Sequence, residues 1–169
     1  MAMRIEITKG TSDDAIVVTR ADGQAVQTRF PKKGPVPHDA VHYFVEKGFG
    51  LQEAFWGLVA GGHHPEDIAG MAKAAGHASA SRAGMPEAEI VELLQAERLV
   101  ECFEADLWSP VPGDDIEAFL AVAQTACEYS HVPLPDLTHE QVRQVRKNIA
   151  LFAQEWKQAA AGDAVRLDW

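Results

Sequence analysis

The amino-acid sequence predicts an α+β fold: a small antiparallel β-meander of three strands, joined by a fourth from the C-terminal tail, packed on a bundle of about five helices. Three observations predict it. Residues 1–31 alternate apolar and polar side chains, the period of strands with one buried face. Residues 37–162 repeat apolar side chains at spacings of three and four, the period of amphipathic helices. Residues 163–169 alternate again. A chain of 169 residues fits one domain and buries a core without covalent staples. No internal repeat or second-domain boundary interrupts it.

Arg4–Thr8 (RIEIT) alternates strictly, and Ala15–Arg20 (AIVVTR) is rich in β-branched residues, which suit a pleated surface. Gln24–Phe30 (QAVQTRF) is the return strand. Asp22-Gly23 marks the hairpin between them, because both residue types tolerate the positive φ such a turn requires. Gly34-Pro35-Val36-Pro37 closes the strand region. Proline suits the first turn of a helix, where the amide it lacks would be unpaired anyway. The first helix is therefore expected from Pro37 to Lys47, with Gly48 or Gly50 as its terminator. Leu51–Ala60 (LQEAFWGLVA) reads as a short apolar second helix stopped by Gly61-Gly62, and Gly48-Phe49-Gly50 as the hinge of a helical hairpin.

His63–Met85 is rich in Ala, Gly, Ser and His and poor in large apolar side chains. A weak helix over Ile68–Ala75 is expected there and loop elsewhere, since Gly and Ser bury too little to offset chain entropy. Pro86 opens a long helix with Glu87 and Glu89 at its positive end. Its apolar stripe is Ile90, Leu93, Leu94, Val100, Phe103 and Leu107. After Ser109-Pro110-Val111-Pro112-Gly113, Asp114 or Asp115 caps a helix running to about Tyr129. Ile116, Phe119, Leu120, Ala123 and Cys127 share one face of it. Thr138 and Gln141 have capping-box spacing, in which each side chain satisfies a free amide of the other. Val142, Val145, Ile149, Phe152 and Trp156 form the core stripe of the helix that follows, which Gly162 ends. Ala164–Trp169 (AVRLDW) returns as an edge strand beside the meander.

With 47% hydrophobic and 24% charged residues, the composition is that of a soluble globular domain. The net charge of −10 argues against nucleic acid and anionic membranes as partners, since both need clustered positive charge. Lys32-Lys33 and Arg143/Arg146/Lys147 are small basic groups that read as solvated faces. Met1–Gly10 has no apolar run behind its basic residue, and no stretch approaches the roughly eighteen apolar residues of a membrane span. The chain is therefore expected to be cytoplasmic, with Cys102 and Cys127 reduced and acting as small buried hydrophobes. Gly57, Gly61 and Gly62 do not follow a strand, so no nucleotide cofactor is expected. Ser79 and Ser81 lack the glycine elbow of a hydrolase nucleophile.

The chemistry-bearing pattern is HDAVHYFVE. At about 100° per residue, His38, His42 and Glu46 form one ridge of the first helix, with Asp39 about 20° from Glu46. Ala40, Val41, Phe44 and Val45 fill the apolar side, so the ridge is expected at the rim of the core. Imidazoles one turn apart can share a divalent metal such as zinc, as in the HExxH metalloproteases. Here the residue after the first histidine is Asp39, one methylene shorter than the glutamate base of those enzymes, which counts against a protease. Glu46 could be a third ligand or could orient His42. His63, His64 or His77 could complete a site. The plainer account needs no metal: Asp39 suits a helix N-terminus, and a His–Glu pair one turn apart stabilises a surface helix by a few tenths of a kcal/mol. Phe49, Phe55 and Trp56 fit either a ligand groove or the core.

HDAVHYFVE, followed by FGLQEAFWGLVAGG, resembles a domain family of unknown function found in small bacterial proteins, whose members open with a β-meander and carry HDxxHxxVE and FWGLxAxG segments. The matching positions are His38, Asp39, His42, Val45 and Glu46, then Phe55, Trp56, Gly57 and Leu58. The likeness covers about the first sixty residues and implies a fold outline without a reaction. Two functional readings follow. One is a non-catalytic cytoplasmic binding protein, with a second copy of the chain, as a homodimer, its candidate partner. The other is a divalent-metal protein or metal-dependent hydrolase with His38, His42 and Glu46 as ligands and Asp39 as base. The first is the simpler.

Overall fold

The computed structural model describes residues 2–80, 87–108 and 115–169, with side chains throughout except at 76–80. Ser81, Pro86, the linker 109–113 and Asp114 lie outside the described residues, as do the side chains of His77 and Ser79. Four strands make one antiparallel sheet, β1 (Arg4–Thr8), β2 (Asp13–Thr19), β3 (Ala25–Pro31) and β4 (Ala164–Asp168), in the order β3-β2-β1-β4. Ile5 pairs with Val18 on one side and Leu167 on the other, and Ile7 pairs with Ile16 and Val165. All of these are buried but Val165, which is partly so. A slip by one residue would turn this set to solvent, so the burial fixes the register. The hairpin turns at Gly23, whose φ is 85°. Its amide donates to the Arg20 carbonyl at 2.9 Å. β4 covers the outer edge of β1 as expected, and the Trp169 amide continues the pairing to the Met3 carbonyl at 2.8 Å.

Among the described residues six helices follow the meander: α1 (His38–Phe49), α2 (Phe55–Ala60), α3 (Pro65–Ala80), α4 (Val91–Trp108, led by a 3₁₀ turn over Ala88–Ile90), α5 (Ile116–Tyr129) and α6 (His139–Gln158). Among the described residues none is long and apolar enough to cross a membrane. Local signals hold where they were specific. Asp115 accepts the Ala118 amide at 3.0 Å, and the Thr138–Gln141 capping box closes in both directions. Of the two glycines proposed to end α1, Gly50 does so, at φ 69°.

Several boundaries differ from expectation. α1 runs to Phe49 rather than Lys47, so Gly48 and Phe49 belong to the helix and not to a hinge. α2 begins at Phe55 rather than Leu51. α6 ends at Gln158, and Gly162 instead makes the positive-φ turn into β4. The largest extension is α3: the helix expected over Ile68–Ala75 is present but runs from Pro65 to Ala80, into flanks expected as loop. Proline stands at its first position and Glu66 and Asp67 at its positive end, while alanine, the strongest helix former, fills much of the rest. Propensity outweighs the scarcity of anchors, of which Ile68 is fully buried.

α1 is the central helix, packed against α2, α4 and α6. Its approach to α6 depends on a missing side chain: a Cβ at Gly48 would lie 2.3 Å from Val145 Cγ2. An exposed helical glycine replaced by alanine would gain about 1 kcal/mol. Here the sign reverses, and Gly48→Ala is expected to lose about 1–3 kcal/mol from overpacking. Urea denaturation checks this, and a midpoint equal to or above wild type contradicts the close approach.

Candidate metal centre

The ridge predicted at the rim of the core lies within it. His42 is 1% exposed and Glu46 0%, because α4 crosses α1 and lays Glu97 and Glu104 over the ridge. Two imidazoles and three carboxylates meet there. The His42 Nδ1–H donates to Glu46 Oε2 at 2.8 Å, one turn along the same helix. That orients the ring and turns Nε2 toward Glu97, whose Oε1 is 3.1 Å away. His38 repeats the pattern, with Nδ1 3.0 Å from Glu104 Oε1 and Nε2 3.7 Å from Glu97 Oε2. Each ring thus has a carboxylate behind Nδ1 and the shared Glu97 before Nε2.

Glu46 is fully occupied: its second oxygen, Oε1, accepts the Trp56 amide at 2.8 Å, a free amide of the first turn of α2. The Trp56 indole N–H also donates to the Asp39 carbonyl at 2.9 Å. Trp56 thereby ties α2 to both ends of the ridge. The carboxylate facing both Nε2 atoms belongs to Glu97, a residue that sequence reasoning did not single out. Among the described residues, His38, His42 and Glu97 form the one group of His, Cys, Asp or Glu with donor atoms close enough to share an ion, all within 4.8 Å. In tetrahedral coordination two ligand atoms at about 2.1 Å from the metal are about 3.4 Å apart. The 3.1 and 3.7 Å spacings run to different oxygens of Glu97, and with one atom per residue the set spans up to 4.8 Å, so the side chains would have to close in on an ion.

The other candidates lie elsewhere. His64 Nδ1 accepts the Glu66 amide at 3.2 Å, and His63 is exposed and offers its carbonyl to Arg20 at 2.9 Å. Asp39 is buried on the wall of a cavity of about 780 Å³ that His38, His42, Glu97 and Phe55 also line. Trp56 and Phe49 belong to the core. Cys102 and Cys127 are buried free thiols, as expected, and burial pushes Cys127 up to about 11.

The charge states follow from the packing. Burial disfavours a charged His38, but its hydrogen bonds to Glu104 and Glu97 outweigh it and raise its pKa from 6.5 to about 9. Burial likewise opposes charge on His42, yet Glu97 and Glu46 hold it well above the ordinary histidine value. Glu97 is also desolvated, but the two imidazoles keep it far below the usual carboxylate range. Burial raises Asp39 and Glu46 against the pull of the same imidazoles.

These shifts set a pH window for the metal-free protein. A histidine whose folded pKa lies above its unfolded value stabilises fully below about 6.5, and that stability is lost as the pH rises through the folded value, about 9 for His38. The metal-free protein is expected to lose about 2 kcal/mol between pH 6.5 and 9 from this group, at 1.36 kcal/mol per pKa unit less a discount for its partial exposure. Urea midpoints of wild type and His38→Gln across that range test it. A wild-type profile as flat as the variant's contradicts the pairing.

None of the protein-family models, curated proteins or solved structures compared with the chain matches it. The chemistry of the site has to be read from its own residues.

Proposed function

We propose that the chain binds one divalent transition-metal ion, zinc or a first-row neighbour, through His38 Nε2, His42 Nε2 and the Glu97 carboxylate, and acts as a metal-dependent hydrolase on a molecule in the adjoining cavity. The observation that carries this reading is the paired arrangement of the imidazoles, each backed at Nδ1 by a carboxylate and facing Glu97 at Nε2. Carboxylates behind ligating histidines fix tautomer and ring orientation and raise the basicity of the ligating nitrogen. Two imidazoles and a carboxylate suit zinc, iron or manganese. Three protein ligands leave a position open, the pattern of catalytic rather than structural sites. The ion would supply a Lewis acid and a water that ionises near pH 7.

Within this reading the protein's residues divide the work. Glu46 and Glu104 orient the rings. Asp39, whose carboxyl burial makes readier to hold a proton, is the base or acid on the cavity wall. Phe55 stands 5.6 Å from the His42 ring and limits access of water from that side. Cytoplasmic residence belongs to the same proposal, as do the absence of a nucleic-acid partner, on the −10 net charge, and a homodimer as the candidate assembly. The competing reading is a binding protein in which the cluster is only a buried ion-pair network.

Zinc titration separates the two. The wild type is expected to bind close to one ion per chain, and Glu97→Gln and His38→Ala to lose most of that while staying folded. Glu46→Gln should weaken binding about ten- to a hundredfold, as for a partner that orients a ligand. The carboxylates raise both imidazoles above the ordinary histidine value, His38 to about 9, so metal binding at pH 7 should release protons from Nε2 and weaken as the pH falls. Calorimetry in buffers of different ionisation enthalpy reads that release. Absence of zinc binding in folded wild type, or binding that survives Glu97→Gln unchanged, removes the metal centre.

A further inference from the structure

The cavity beside the cluster lies between the sheet and α1, α3 and α4. Its volume, about 780 Å³, is in the range of small-molecule sites and far below what a folded partner or a nucleic acid would need. Ile7 and Ile16 from the sheet, with Phe30, Val36 and Phe55, give it an apolar side. Lys32, Lys33, Lys73 and Arg98 give it a basic side. That is four of the 15 lysines and arginines of a chain whose net charge is −10, set beside three carboxylates of the same lining, Asp14, Asp39 and Glu97, so cations outnumber carboxylates there although the chain as a whole is acidic.

These cations are not equally committed. Lys32 pairs with Asp14 at 2.8 Å. Among the described residues Lys33 and Lys73 have no carboxylate partner, and both are exposed. Arg98 gives one nitrogen to Glu101 at 3.0 Å, while its Nε is buried with no hydrogen-bond partner. A buried donor left unpaired costs free energy, but this nitrogen is out of contact with solvent, so a molecule in the cavity reaches it only if the side chain shifts. An arginine fork suits carboxylate and phosphate oxygens.

We infer that the cavity binds a small organic anion with an apolar body: Arg98, with Lys73 and Lys33, holds its carboxylate or phosphate, and Phe30, Val36 and Phe55 enclose the body. The inference deepens the metal-centre reading, because a molecule so held lies in the cavity that His38, His42 and Asp39 line. Its anchoring group needs no metal, so the two readings can fail separately.

The test is calorimetric titration of the whole chain with octanoate, once with chelator and once with one equivalent of zinc. Octanol, which has the body without the charge, and acetate, which has the charge without the body, serve as comparisons. Octanoate is expected to bind at least tenfold more tightly than either. Arg98→Gln should weaken it about tenfold, the effect of one charge-assisted hydrogen bond, and added salt should weaken it further. Lys73→Gln, at an exposed position that does not endanger folding, should weaken it severalfold. No octanoate binding at millimolar concentration, equal binding of octanol, or affinities unchanged in both variants overturns the inference. Arg98-dependent octanoate binding in a chain that takes up no zinc keeps this inference and removes the metal. Zinc binding without octanoate binding does the reverse.

Discussion

His42 sits at the centre of the molecule with a carboxylate on each ring nitrogen, Glu46 on Nδ1 and Glu97 on Nε2, and the ring is almost wholly out of water. Burying such a group is costly, and removing one partner of a buried pair typically costs about 3–5 kcal/mol because a charge is left uncompensated. Much of the surrounding geometry answers to that demand. α4 has to cross α1 where Glu97 meets Nε2, and Glu104 completes the contact at His38, one turn earlier. The free oxygen of Glu46 takes the Trp56 amide, so the docking of α2 depends on the same carboxylate. The apolar core grips these helices from the other side, through Val41, Val45 and Phe49 of α1 and Leu99, Val100 and Phe103 of α4.

A cage of this kind holds either protons or a metal with little change in charge. With both imidazoles protonated, the cluster carries two positive charges against the carboxylates around it. Replacing the two Nε2 protons with one divalent ion leaves the total unchanged. The exchange therefore avoids burying new net charge, the term that dominates the cost of placing ions in a protein interior. The carboxylates that raise the histidine pKa values are also those that would orient the rings for a metal, so proton affinity and metal affinity have the same structural origin. Arg98, Lys33 and Lys73 line the same cavity as His38, His42 and Glu97, together with apolar side chains. In the proposed readings one cavity would join a site for a cation to a site for an anion.

Local chemistry was legible in the sequence, and pairing between distant segments was not. The alternation of RIEIT and AVRLDW, the Asp22-Gly23 turn and the Thr138–Gln141 capping box each act over a few residues, and each appears where its pattern placed it. The α3 helix was expected only over Ile68–Ala75, because its few apolar anchors were given more weight than its alanines and its Pro65-Glu66-Asp67 start, signals that the sequence contains. Within the site, the spacing of His38, His42 and Glu46 put them on one ridge of one helix. The spacing could not say that the ridge is buried, since that depends on α4. Nothing local distinguishes Glu97 and Glu104 from the other glutamates of a long helix. They stand on one face two turns apart and meet His42 and His38, one turn apart on α1, a match that acquires meaning only once the helices are known to cross.

X-ray absorption at the zinc edge of the loaded protein tests the central claim most directly, since it reports the atoms around the ion. The account predicts a first shell of nitrogen and oxygen only, at about 2.0–2.2 Å, with the outer-shell scattering of two imidazoles. A sulfur scatterer at about 2.3 Å, which would implicate Cys102 or Cys127, or a shell without imidazole scattering would contradict it.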